Sequence, residues 1–134
     1  MTEIPVASAV EELALAKETL EAARVLAAAG LHRHSVGRAY YAIFHAACAL
    51  LAHSGKRARS HEGVRAFVNE HFVRPGLLDA EHARALRQTA SDRNDADYDA
   101  SATFLDEDSR ADIARAVGFL SAVEAILSGA PTPA

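Results

Sequence analysis

The chain has 134 residues, half of them hydrophobic, and a formal net charge of −4. This length suits one domain with one core, and the charge excludes a general electrostatic attraction to nucleic acid. A single cysteine excludes a disulfide framework, and neither a signal peptide nor an apolar run of membrane-spanning length is found. We therefore expect one domain over residues 1–134, located in the cytoplasm and without a membrane segment.

Alanine and leucine are abundant, and Gly and Pro interrupt the chain only at a few places, which favours helix over sheet. Apolar residues recur at spacings of three and four in five successive segments. The predicted helices cover about residues 6–29, 34–53, 60–74, 79–98 and 106–128. Because the connections are short, neighbouring helices should be antiparallel. The sequence thus predicts an all-α, up-and-down antiparallel bundle of four long helices and one shorter helix.

Residues at several predicted helix ends suit those positions. Gly30 suits the C-terminal stop of the first helix, Ser60 suits the N-cap of the third, and the acidic residues 106–108 suit the positive end of the fifth helix dipole. Along the first helix an apolar stripe begins at Val10 and continues at Leu13. Both side chains are expected in the core.

The apolar stripe of the fourth helix ends in charged residues. Ala83, Leu86 and Ala90 follow the helical spacing, and the same spacing then reaches Arg93 and Asp97. Polar residues on a core face concentrate at functional sites and interfaces. The Arg93 guanidinium suits a phosphate. An ion pair with Asp97 that fixes the register of a dimer is the alternative, and the sequence leaves both interpretations open.

The second predicted helix places Arg38, Tyr41 and His45 on one face, at relative positions 0, 3 and 7. These side chains are predicted to line the same cleft as Arg93. A polar seam between helices, in which Tyr41 and His45 satisfy buried partners, is the alternative interpretation.

Three segments in chain order carry a resemblance to a known family. They are residues 37–47 with the sequence GRAYYAIFHAA, residues 60–64 with the sequence SHEGV at a helix start, and residues 93–98 with the sequence RNDADY. Over nearly its whole length the chain resembles the HEPN family, in particular its small stand-alone bacterial and archaeal members. The resemblance implies a helical bundle that forms a homodimer.

The resemblance also implies a function and a site. Many HEPN proteins are metal-independent ribonucleases whose site is an Arg, a polar residue and, a few positions later, a His, with two copies facing each other across the dimer. Small members often pair with a minimal nucleotidyltransferase as a toxin–antitoxin system, in which the HEPN protein is usually the toxin. We therefore expect RNA or a nucleotide as ligand, that nucleotidyltransferase as partner, and no cofactor or metal.

When the HEPN motif is compared with this sequence, Arg93 and Asn94 match its start, whereas Tyr98 stands where the His is expected. Tyrosine titrates near ~10 and is a poor base at neutral pH, whereas histidine titrates near neutrality. Tyr98 could donate a proton, be modified by the partner, or lie half-buried with its hydroxyl on a carboxylate, and His45 could replace the missing His. The predicted catalytic residues are Arg93, Asn94, Tyr98 and His45, and the predicted binding residues are Arg38, Tyr41 and Asp97.

Acidic residues around the motif support a second function. Four aspartates lie between positions 92 and 99, and their charge should repel an RNA backbone. A non-catalytic HEPN module, which binds a nucleotide or docks a nucleotidyltransferase through residues 93–108, is therefore the alternative. His61, beside Ser60, is interpreted as part of a helix start.

Overall fold

The computed structural model describes residues 7–129, and within that range it contains five α-helices and no β-strand. The helices are α1 (Ala9–Ala28), α2 (His32–His53), α3 (His61–Val68), α4 (Ala80–Tyr98) and α5 (Asp106–Leu127), and a π-helical turn (Asn69–Val73) extends α3. The predicted all-α class is confirmed, and the predicted helix bounds differ by at most a few residues. None of these helices combines the length and apolarity needed to cross a membrane.

The four long helices alternate in direction. The Ser35 hydroxyl donates to the Ala23 carbonyl near the start of α2, and His45 near its end contacts Glu12 near the start of α1, so α1 and α2 are antiparallel. Arg33 at the start of α2 reaches the end of α4, so these two helices are antiparallel as well. The up-and-down arrangement is therefore confirmed, with α2 packed against α1, α4 and α5.

Most of the core surrounds α2. Small and apolar residues lie on all of its sides, which is the pattern of a helix enclosed by others. Its fully buried Ile43 and Leu50 belong to the same cluster as Phe119 of α5. One core prediction is wrong, because the Val10 side chain is 78% exposed. Consecutive helical residues are ~100° apart, and the preceding Ala9 packs against the core instead.

Two local features stabilise the end of α4 and the start of α3. The Arg33 guanidinium donates to the carbonyls of Ala96, Asp99 and Ala102 at and beyond the end of α4, at 2.7, 3.0 and 2.5 Å. The carbonyls at a helix C-terminus have no intrahelical partner, and Arg33 supplies donors there. At the start of α3 the Ser60 hydroxyl accepts the backbone N–H of Gly63 at 2.9 Å, which confirms the predicted N-cap.

Candidate functional site

A cleft of about 730 Å³ lies between α3 with its π-helical turn and α4, with α2 beneath it. We call it the α3–α4 cleft. Its polar lining comes from all these elements. The polar and charged side chains that line it are Tyr40, His61, Glu62, Arg65, Asn69, Arg87, Ser91, Arg93 and Asn94.

Arg93 enters the cleft over two tyrosine rings. Its guanidinium carbon lies 5.1 Å from the ring centre of Tyr40 and 5.6 Å from that of Tyr41, within the range of cation–π attraction. The side chain is 18% exposed, and its Nη1 donates to Asp97 Oδ2 over a long 3.4 Å. This is the only hydrogen bond that the guanidinium makes within residues 7–129. Aromatic faces therefore hold Arg93. Its Nε is buried without a hydrogen-bond partner in the described part of the chain, and its Nη2 makes no hydrogen bond there.

Tyr40 joins the arginine to a histidine. Its side chain is fully buried, and burial raises the pKa of its hydroxyl, which therefore stays protonated. That hydroxyl lies 2.5 Å from His61 Nδ1, and its ring supports Arg93. The sequence interpretation selected Tyr41 and missed Tyr40, which lies within an apolar run and there has the pattern of an ordinary core residue.

His61 is the first residue of α3, and its imidazole lies in the cleft. The ring stacks on Phe44 with 4.2 Å between ring centres. Burial, followed by the positive charges of Arg93 and Arg65, lowers the pKa of His61. The imidazole is therefore neutral at neutral pH. The interpretation of His61 as merely part of a helix start was incomplete. Its place in the SHEGV segment was the only sequence signal that linked it to the site.

The charge of the cleft is opposite to that of the whole chain. Its charged lining consists of the guanidinium groups of Arg65, Arg87 and Arg93 and the single carboxylate of Glu62. None of the aspartates at positions 92–99 lines it. The expected acidic environment of the motif is therefore wrong for the cleft, which concentrates positive potential on a protein of net charge −4.

The predicted site residues separate into four places, two of which are concavities. Arg93 and Asn94 line the α3–α4 cleft. Arg38, Tyr41 and Asp97 line a neighbouring depression of about 320 Å³, where the Arg38 guanidinium lies 4.8 Å from the centre of the Tyr41 ring. Tyr41 also supports Arg93, so the two concavities meet at that ring.

His45 and Tyr98 lie outside both concavities. His45 Nδ1 is 2.9 Å from Glu12 Oε2, on the side of α2 that faces α1. Tyr98 is 76% exposed and makes no side-chain hydrogen bond within residues 7–129. The interpretation of Tyr98 as a half-buried residue bonded to a carboxylate is therefore wrong. The catalytic roles of His45 and Tyr98 stay predictions, and the cleft of one chain does not include either residue.

A second polar cluster, the α4–α5 carboxyl pair, consists of Asp92 and Asp112. Asp112 is fully buried and accepts from Arg115 Nη1 at 2.7 Å, while Asp92 Oδ1 accepts from Gln88 Nε2 at 3.0 Å. Burial and the neighbouring Asp92 carboxylate raise the pKa of Asp112 to about 7. Asp112 Oδ2 is buried without a hydrogen-bond donor in the described part of the chain. Protonated Asp112 would donate to Asp92.

The fold and cleft together define a class: a helical bundle with an arginine-rich cleft built around an Arg, Tyr and His cluster. The family model described as HEPN domain matches residues 10–127. The chain belongs to the HEPN family, and the resemblance inferred from the three segments is confirmed.

Curated relatives agree with this membership. A Thermotoga maritima UPF0332 protein is 32% identical over 112 residues, which cover 84% of this chain and 85% of the relative. "Putative toxin MJ0605" of Methanocaldococcus jannaschii is 38% identical over 84 residues, covering 63% of each chain. "UPF0332 protein PH1297" of Pyrococcus horikoshii is 37% identical over 83 residues, covering 62% of this chain and 58% of the relative. The matches to the last two therefore span less than two thirds of those relatives.

Proposed function

We propose that this chain is a toxin-type HEPN protein that cleaves RNA without a metal ion. The observation that carries the proposal is the placement of Arg93 in an open cleft that also contains Arg65 and Arg87. The name of the Methanocaldococcus jannaschii relative supports the toxin assignment.

The cleft suits a phosphodiester backbone. A guanidinium can donate hydrogen bonds to a phosphate, and the Nη2 of Arg93 has no hydrogen-bond partner within residues 7–129. Arg65 and Arg87 supply positive charge for neighbouring phosphates, and the amide of Asn94 can both donate and accept. We assign the scissile phosphate to Arg93 because the flat tyrosine faces beneath it fix its orientation.

The reaction is an internal transfer at phosphorus. The ribose 2′-oxygen attacks the phosphorus, the bond to the 5′-oxygen breaks, and the products are a 2′,3′-cyclic phosphate and a 5′-hydroxyl. Positive charge from Arg93 stabilises the additional negative charge on the phosphoryl oxygens. DNA lacks the 2′-hydroxyl, so this proposal restricts cleavage to RNA.

A homodimer and a minimal nucleotidyltransferase partner complete the proposal. In a homodimer two such clefts would be presented together. The partner would act as the antitoxin, and it would bind through a surface whose chemistry complements the exposed end of α4.

A second candidate function rests on that same end of α4. Tyr98 is 76% exposed, and the exposed carboxylates of Asp95 and Asp99 lie beside it in sequence. Leu105, the residue before α5, is 52% exposed. Exposed apolar and aromatic groups among acidic residues suit a docking surface for a basic partner. In this alternative the chain is a non-catalytic docking module, or one that holds a nucleotide in the cleft.

Cleavage of RNA by the purified protein in the presence of EDTA tests the proposal. We expect wild type to cleave total RNA or a tRNA pool, and we expect Arg93→Ala to lose at least ~100-fold of that activity. Asp92→Asn is the matched control, because Asp92 is the neighbouring residue but faces α5, and it should cleave as wild type does.

Circular dichroism and thermal unfolding of each variant distinguish a loss of activity from a loss of the folded structure. Activity of Arg93→Ala equal to wild type would reject the assignment of the phosphate to Arg93. If wild type cleaves neither RNA pool, the docking module becomes the better account of this chain.

A further inference from the structure

The HEPN motif of this chain lacks its histidine, yet the α3–α4 cleft contains one from another helix. Tyr98 holds the motif position and is exposed, and His45 contacts Glu12 away from the cleft. We propose that His61 supplies the missing imidazole, with its Nε2 accepting the proton of the ribose 2′-hydroxyl, and that Tyr40 is the positioning residue for its ring. This inference rests on the proposed RNA cleavage.

The contacts of His61 fix the imidazole and leave one nitrogen free. Nδ1 is 2.5 Å from the Tyr40 hydroxyl, and one face of the ring stacks on Phe44. The N-cap bond of Ser60 fixes the backbone of the same helical turn. Within residues 7–129 Nε2 has no hydrogen-bond partner. The bond between Tyr40 and Nδ1 can run in either direction. The proposed role requires the tautomer with hydrogen on Nδ1, in which that nitrogen donates to the Tyr40 oxygen and Nε2 carries the free lone pair.

Burial and two arginines among the groups that face His61 favour its neutral form. Arg93 approaches from α4, and Arg65 and Glu62 lie on its own helix. The aromatic rings of Tyr40 and Tyr41, both on α2, lie next to the imidazole. Burial and the two arginine charges lower the pKa of His61, so the basic form is populated at neutral pH. A general base must be unprotonated at the working pH, and His61 meets that condition.

Arg93 and His61 meet at the same tyrosine, which brings their two functions to one place. The Arg93 guanidinium lies over the Tyr40 ring, and His61 is bonded to the hydroxyl of that residue. A phosphate held by Arg93 would therefore lie next to the imidazole. Tyr40 thus fixes the distance between the group that binds the phosphate and the group that moves the proton.

The proton and the bonds balance in this step. As the 2′-oxygen forms its bond to phosphorus, its proton passes to His61 Nε2 and gives an imidazolium. The bond between phosphorus and the 5′-oxygen breaks, and the leaving oxygen takes a proton from solvent water, which reaches the open cleft. The imidazolium then releases its proton to the hydroxide left in the solvent, so no co-reactant is consumed.

Substitution of His61 and of a matched histidine tests the role. We expect His61→Ala and His61→Gln to cleave RNA at least ~100-fold more slowly than wild type. The glutamine side chain can still form a hydrogen bond with Tyr40. A loss of RNA cleavage in His61→Gln therefore cannot be attributed to a cavity left by the imidazole. His71→Ala is the control, because His71 lies on the adjoining π-helical turn, is 52% exposed and does not line the cleft. It should cleave at the wild-type rate.

The pH profile at saturating RNA distinguishes proton transfer from a structural role. Arg65→Gln removes a positive charge that lowers the pKa of His61. The pKa of His61 should therefore rise, and the acidic limb of the rate profile should move to higher pH. Tyr40→Phe should reduce the rate and leave the fold intact, because only the hydroxyl is lost.

The outcomes separate this inference from the proposed function. Cleavage by wild type together with equal cleavage by His61→Gln would overturn the role of His61 and leave the ribonuclease assignment standing. An acidic limb that does not move in Arg65→Gln would also overturn it. Absence of cleavage by wild type would overturn both.

Discussion

Two adjacent residues of α4 face two different polar regions of the molecule. Arg93 enters the α3–α4 cleft, whereas Asp92 turns to α5 and forms the α4–α5 carboxyl pair with Asp112. Both regions contain a group whose pKa is displaced, downward for His61 and upward for Asp112. A displaced pKa by itself therefore does not identify a functional site in this protein.

The difference lies in space and in charge balance. In the carboxyl pair, Arg115 and Gln88 supply hydrogen bonds from neighbouring positions, and Asp112 is fully buried. In the cleft, three guanidinium groups exceed one carboxylate, and about 730 Å³ is open to a ligand. The first region is enclosed, and a proton on Asp112 removes the repulsion between its two carboxylates. The second region has an excess of positive charge that an anion would neutralise. Experiments that treat the two regions in parallel should separate binding from stability.

Among the experiments that compare the two regions, the largest effect is expected on RNA affinity. Arg65→Ser combined with Arg87→Ser should weaken RNA binding by at least ~10-fold at low salt, because two phosphate contacts are lost. The slope of log affinity against log salt should also become shallower, by ~0.7 for each contact with a single strand. Fluorescence anisotropy with a labelled oligoribonucleotide measures both quantities.

The control for this pair keeps the same change in net charge. Arg74→Ser combined with Arg84→Ser removes two exposed arginines that do not line the cleft. Its affinity and salt slope should remain close to those of wild type. Equal losses in the two double variants would mean that RNA responds only to the total charge of the chain.

Parts of this arrangement follow from local sequence, and parts do not. The helices follow from the spacing of apolar residues, and Arg93 was found because it breaks such a spacing. Tyr40 and His61 were missed because one lies in an apolar run and the other follows an N-cap, where each has an ordinary structural reason to occur. Only the packing of α3 and α4 on α2 brings them together, and no local pattern encodes that contact.

The charge of the site was misjudged for a geometric reason. Adjacent residues of a helix point ~100° apart, so aspartates that crowd Arg93 in sequence need not face the same cleft. Asp92 faces α5, Asp95 is exposed, and Asp97 lines the neighbouring depression. The expected homodimer, the nucleotidyltransferase partner and the domain extent over residues 1–134 stay predictions.

A smaller effect is expected on stability at the carboxyl pair. The pKa of Asp112 is raised to about 7 from an ordinary value near ~3.9. The native state therefore binds an extra proton between these values, and the stability it contributes is lost as pH rises towards 7. Asp112→Asn imitates the protonated form. Its melting temperature should exceed that of wild type by the largest margin at pH 8, and the difference should shrink as pH falls and disappear near pH ~4, the ordinary aspartate pKa.

RNA cleavage by Asp112→Asn provides the parallel measurement. The carboxyl pair does not line the cleft, so the variant should cleave RNA at the wild-type rate wherever both proteins are folded. A melting-temperature difference that is the same at pH 5 and pH 8 would contradict the protonated state assigned to Asp112. A loss of cleavage would instead connect the two regions of α4.

The smallest effect is expected at Tyr98, where the family motif and the geometry disagree. The family resemblance places Tyr98 where the motif histidine is expected, but its side chain is 76% exposed and lies outside the cleft. Tyr98→Phe should therefore leave the rate of RNA cleavage within ~2-fold of wild type, since removing an exposed hydroxyl changes little. If this variant instead loses cleavage to the same degree as His61→Gln, Tyr98 must act in the cleft of another copy of the chain. The second copy in a dimer would then supply it, and sedimentation of the active species would show whether cleavage depends on that dimer.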